Sequence, residues 1–91
     1  MNTIHKQILD LIPNQIIQVP KNSTFLDTKN QKENLSIWYI CNPNEAETED
    51  REILIFGTGN DSVPEDTELE YLGTILMEND NLVWHIFEKL S

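Results

Sequence analysis

Residues 35–41 read Leu35-Ser36-Ile37-Trp38-Tyr39-Ile40-Cys41. In an extended chain Leu35, Ile37, Tyr39 and Cys41 share one face, while Ser36, Trp38 and Ile40 share the other. Both faces carry large apolar groups, and the β-branched and aromatic content suits a pleated surface. A strand is predicted over Leu35–Asn42, central in its sheet and covered on both sides.

Working outward, helical periodicity is nearly absent. Only Ile4 to Ile12 offers apolar spacing that a helix could use, and Pro13-Asn14 stops it. The reading is a hairpin of Thr3–Ile12 with Gln15–Val19 around Pro13-Asn14, with an N-terminal helix as the alternative. Pro20–Ser23 is expected as loop. Thr24–Lys29 pairs with Leu35–Asn42 around the polar segment Asn30–Asn34. After Pro43-Asn44, the run Glu45–Asp50 reads as a solvated loop. Arg51–Thr58 is a strand, Gly59–Glu68 a loop, Leu69–Met77 a strand, and Glu78–Asn81 a turn. The last strand, Leu82–Leu90, sets Leu82, Trp84 and Ile86 on one face and Val83, His85 and Phe87 on the other.

Seven short strands at this spacing predict an all-β protein, a small antiparallel β-sandwich or barrel in one domain, residues 1–91. Apolar groups on both faces of so small a sheet lead to a further expectation. A second copy covers one of them, making a homo-oligomer.

Cys41 is the only cysteine, so no intramolecular disulfide is possible, and a reducing cytoplasm is expected. In its apolar run Cys41 reads as a small buried hydrophobe. The N-terminal residues lack the apolar core of a signal peptide, and no stretch approaches the roughly 18–20 apolar residues of a membrane span. Neither membrane insertion nor membrane binding is expected.

Net charge is −10. Between Glu45 and Glu70 lie ten acids against the single base Arg51, so that segment carries −9 of it. Such a surface repels phosphate backbones and argues against direct nucleic-acid binding. It could instead meet a basic protein surface, with Glu47, Glu49 and Asp50 as the contact, or simply keep an apolar domain in solution.

Phe56-Gly57-Thr58-Gly59-Asn60 follows a strand and at first suggests a phosphate loop. That function needs a helix whose N-terminal amides hold the phosphate. Here an acidic, proline-broken stretch follows, with no lysine and no third glycine at the required offset. The glycines read better as a bulge or tight bend. The other reading is a loop whose free amides contact a ligand or a partner. His5 and His85 lack the company of a metal-ligand set, so neither metal nor cofactor is expected. His85, between Val83 and Phe87, reads as a core or interface histidine bonded to a backbone carbonyl. The acids lie mostly in loops, and no serine or cysteine has a nucleophile elbow around it. An enzyme is not expected.

Four stretches stand in a recognisable order: Thr3-Ile4-His5-Lys6, Phe56-Gly57-Thr58-Gly59, Tyr71-Leu72-Gly73-Thr74 and Val83-Trp84-His85-Ile86-Phe87-Glu88. Together they resemble a family of small proteins found in tailed-phage and prophage genomes, across nearly the whole chain. Asn60 replaces a histidine usual in that family, and Gln7 replaces an aromatic. Chemistry depending on that histidine would be lost here, which favours binding over catalysis.

The resemblance implies a phage context and a protein that acts by occupying something of the host. The target would be a host defence protein or a cyclic-nucleotide-type immune signal. For a small ligand, the contact loop would be Phe56, Gly57, Thr58, Gly59 and Asn60, lined by Trp38, Tyr71, Trp84 and His85. The alternative is a structural or assembly-accessory β-domain of the virion.

Overall fold

The computed structural model describes residues 1–90, and they fold as seven antiparallel strands in two sheets. The strands are β1 (Thr3–Ile8), β2 (Asn14–Pro20), β3 (Thr24–Gln31), β4 (Asn34–Cys41), β5 (Thr48–Gly57), β6 (Leu69–Met77) and β7 (Leu82–Lys89). The first sheet has the order β1-β4-β3 and the second β2-β5-β7-β6. The extents are 40 × 34 × 16 Å, the thickness of two stacked layers. The all-β expectation is met. Among the described residues there is no helix, hence none long and apolar enough to cross a membrane.

Strand alternation builds the core. Leu35, Ile37, Tyr39 and Cys41 of β4 point inward, against Ile17 and Val19 of β2, Ile53 and Ile55 of β5, Ile75 and Met77 of β6, and Ile86 of β7. Ile37, Val19, Ile53 and Ile86 are wholly excluded from solvent. At about 25 cal/mol per Å², each such side chain contributes roughly 1.5–3 kcal/mol on leaving water.

The sheets come closest along β3 and β6. A Cβ added to Gly73 would lie 2.1 Å from Thr28 Oγ1. Thr28 Oγ1 donates to the Leu72 carbonyl at 3.4 Å, and Asn30 Nδ2 to that of Leu76 at 3.2 Å. Gly73 is therefore required by the approach of its neighbour, and the ladder between β6 and β7 shifts register between Tyr71 and Gly73 to accommodate it.

Several expectations need correction. The segments around Pro13-Asn14 form no hairpin: β1 pairs with β4 and β2 with β5, in different sheets. The reason lies in Leu9, which is buried in the core and gives its amide to the Leu35 carbonyl. The chain then crosses the end of the sandwich, and Pro13 O accepts the Ile55 amide at 3.0 Å.

Pro20 ends β2 instead of opening a loop, and Thr48, Glu49 and Asp50 belong to β5. Their partners are Pro20, Val19 and Gln18, so backbone pairing overrides the acidic composition. β4 is central in its sheet, but only its inner face is covered by the other layer; Trp38 and Ile40 on the outer face are half-buried. The β3–β4 turn is tighter than expected. Lys32 and Glu33 both take positive φ, 52° and 63°, as a two-residue type I′ turn requires.

Candidate functional site

The outer face of the second sheet collects Phe56, Tyr71 and His85 of the sequence-predicted residues. Alternation along β5 and β7 places Leu54 and Phe56 there beside Phe87 and His85. Leu54 and Phe56 are nevertheless buried, because the segment 58–68 folds back over them.

That segment begins with a turn. Asn60 donates its amide to Gly57 O at 3.1 Å, and Gly59, third in the turn, has φ +86°, the conformation for which a type II turn selects glycine. A Cβ on Gly59 would meet nothing within 4 Å, whereas one on Gly57 would lie 3.3 Å from Trp84 Cζ3. The two glycines thus have different causes, one a turn and the other an indole ring. Asn60 Oδ1 then accepts the Ser62 amide at 2.7 Å and fixes the next bend of the loop.

Between this loop and the start of β2 runs a groove of about 440 Å³. Leu54, Phe56, Pro13 and Pro64 give it an apolar lining, and Asn14, Asn60, Ser62 and Lys89 supply polar groups. Asn14 Nδ2 donates to Glu52 Oε2 at 2.5 Å, and Lys89 Nζ lies 4.0 Å from Glu52 Oε1. Behind the loop, a smaller cavity of about 200 Å³ is lined by Leu11, Ile12, Pro13, Ile55, Gly57, Asn60 and Trp84. Asn60 and Pro13 border both spaces. Trp84 Nε1 is buried without a hydrogen-bond partner, an arrangement that costs about 1–3 kcal/mol.

Alongside the groove, Phe56, Phe87 and Tyr71 form an aromatic row. Ring centroids are 6.1 Å apart for the first pair and 5.6 Å for the second, within the range for favourable aromatic pairs. Tyr71 is 59% exposed. A chain of hydroxyls crosses the same face. Tyr71 OH and Thr74 Oγ1 lie 2.5 Å apart, Thr74 Oγ1 is 3.2 Å from His85 Nδ1, and His85 Nε2 is 2.8 Å from Thr58 Oγ1. His85 therefore bonds two threonine hydroxyls, not the backbone carbonyl expected from sequence. Such a chain can relay a proton, but the groups that orient the imidazole are hydroxyls, with no carboxylate among its hydrogen-bond partners.

The sequence-predicted residues do not form one site. Phe56, Thr58, Asn60, Tyr71 and His85 gather on or beside the outer face of the second sheet. Gly57 pairs with Trp84 across β5 and β7, and Trp84 faces inward against the core. Trp38 lies on the outer face of the other sheet, remote from the loop. Glu47 and Glu49 are engaged within the molecule: Glu47 Oε2 is 3.2 Å from Lys21 Nζ, and Glu49 Oε1 accepts from the Asn22 amide and Arg51. Asp50 alternates to the opposite face from Glu49. Cys41 is buried, its Sγ 3.5 Å from His5 Nδ1.

Sequence reasoning missed Asn14, Ser62, Pro64 and Lys89 as groove residues. Ser62 and Pro64 had a signal, since a proline in a polar loop after Gly57-Thr58-Gly59 marks a chain folding back. The approach of Asn14 and Lys89 depends on β2 lying beside β5 and had no local signal.

Besides Trp84 Nε1, the other orphaned polar atom among the described residues' buried side chains is Asn30 Oδ1 on β3. Over residues 1–91 the chain matches the family described as Domain of unknown function (DUF7352), and it belongs to that family. No curated protein and no solved structure matches it.

Proposed function

We propose that this member of the DUF7352 family is a non-enzymatic binding protein of phage or prophage origin, whose groove beside the 58–68 loop holds a small planar ligand of the nucleotide type. By sequestering such a signal it would act as an inhibitor of host antiviral defence. The observation that carries the reading is the groove itself. An apolar floor of Leu54 and Phe56 with a few convergent polar groups, Asn14, Asn60, Ser62 and Lys89, is the composition of small-molecule sites. A base fits against the apolar floor and the two prolines, and Lys89 is the cation within the groove for a phosphate.

The net charge of −10 sets a limit. A highly charged ligand is disfavoured; at physiological salt charges beyond about 8 Å are largely screened, which leaves Lys89 and, 4.0 Å from it, the Glu52 carboxylate as the nearest charges to a ligand carrying one or two phosphates. The phage and defence context rests on the family resemblance of the four sequence motifs. Blocking a basic host protein is the less supported version, because Glu47 and Glu49 already have partners and Asp50 faces away from them.

The second reading, a virion structural or assembly-accessory domain, is favoured by the apolar side chains exposed on both outer faces, among them Ile4, Ile16 and Leu76. Native mass spectrometry of the protein purified gently from its host separates the two. Retained mass of a few hundred daltons per groove supports sequestration. Co-purification with particles and no retained mass supports the virion reading.

A further inference from the structure

Strand β1 is bonded to β4 along one side, and among the described residues no strand pairs with its other side. The direction of its backbone groups follows from one hydrogen bond. Leu9 gives its amide to the Leu35 carbonyl at 2.8 Å, so its polar groups point toward β4. These groups alternate along an antiparallel strand. The amides and carbonyls of Gln7, His5 and Thr3 therefore also face β4, and those of Ile4, Lys6 and Ile8 face outward.

Natural edges are usually guarded by proline, a bulge or a projecting lysine. β1 has no proline, and its ladder with β4 runs without a register shift. Its single lysine does not guard the edge. Lys6 Nζ donates to Gln31 Oε1 at 2.7 Å, on the far side of β4, so its stem lies back across the sheet. Ile4 and Ile8 are left 59% and 50% exposed along the open edge.

Charge and symmetry indicate what covers this edge. The strands of the first sheet carry two bases, Lys6 and Lys29, against one acid, Asp27. Those of the second carry two bases against five acids. In a chain of net charge −10, the first sheet is where a second copy meets no excess of like charge. We propose that the β1 edges of two copies pair antiparallel about a two-fold axis at Lys6, forming one continuous six-stranded sheet. In that register Ile4 opposes Ile8 of the second copy on both sides of the axis, and about six main-chain hydrogen bonds form. The two Lys6 ammonium groups are kept apart because each is held by its own Gln31. A foreign strand could satisfy the same backbone groups, but self-pairing also matches apolar with apolar twice.

Sedimentation equilibrium over a wide concentration range tests this, with two variants. Lys6→Pro removes an outward amide that the β1–β4 ladder does not use, so the fold is retained while the dimer weakens about tenfold or more. Ile4→Glu places a charge opposite an isoleucine and weakens the dimer similarly, with Ile4 exposed enough for the monomer to tolerate it. Circular dichroism verifies folding of both. A wild-type protein monomeric into the millimolar range would overturn the proposal, and so would a dimer that neither variant weakens.

Discussion

Arg51 clasps the buried carboxylate of Glu88 at two points, Nε to Oε2 and Nη2 to Oε1, joining β5 to β7 on the core side of their sheet. Nη1 donates to the Ser23 carbonyl at 2.8 Å, and the guanidinium sits 4.4 Å from the centroid of Phe25 in the other sheet. The hydrogen bonds to Glu88, foremost, hold the Arg51 pKa above its ordinary value, against the opposing effect of burial. One cation thus ties both sheets and the β2–β3 connection together. In the linear sequence it reads as a lone base among acids.

Replacing one partner leaves the other charge buried and unpaired. Arg51→Met should cost about 3–5 kcal/mol in chemical denaturation, and the double replacement Arg51→Met with Glu88→Leu should recover most of that. A double variant no more stable than the single one would mean that the contacts to Ser23 and Phe25, not the ion pair, carry the effect.

Gly73→Ala drives a methyl group into Thr28 Oγ1. The expected loss is about 1–3 kcal/mol, from overpacking where the two sheets meet. Thr28→Ala in the same chain removes the obstructing oxygen, and thermal unfolding of the four combinations should show strong coupling between the two positions.

Tyr39 is buried under the first sheet, and desolvation, with a smaller contribution from Cys41, raises its pKa above the ordinary 10.0. The fold favours the neutral phenol. Its contribution to stability is therefore fully present below pH 10 or so and lost as pH rises through the raised folded-state value. Unfolding free energy followed from pH 9 upward should fall, and Tyr39→Phe should reduce that fall. An equally steep fall in the variant would assign the alkaline sensitivity elsewhere.

Much of the fold was legible in the sequence because strands carry a local signature. The alternation in Leu35–Cys41 and Leu82–Phe87 named the core faces, and the Glu78–Asn81 turn was visible in its residue types. Pairing was less legible. A hairpin around Pro13-Asn14 is the local choice, but burial of Leu9 sends β1 and β2 to different sheets, and only the tertiary structure contains that competition. The site was half legible for the same reason. The Phe56–Asn60 loop could be read from its glycines, but Asn14 and Lys89 reach the groove through strand order, and Trp38 falls on the wrong layer although its chemistry resembles that of Trp84.

A ligand seated in the groove perturbs the backbone amides of the residues that line it. Titration of the folded protein with a panel of mono- and cyclic dinucleotides, followed by backbone amide NMR, reports on each loop residue separately. The expected result is saturable shifts concentrated at Asn14, Asn60, Ser62 and Lys89, abolished by the pair Asn60→Ala and Lys89→Ala without loss of the fold. Shifts scattered over the surface, or none at millimolar ligand, would contradict a nucleotide-binding groove.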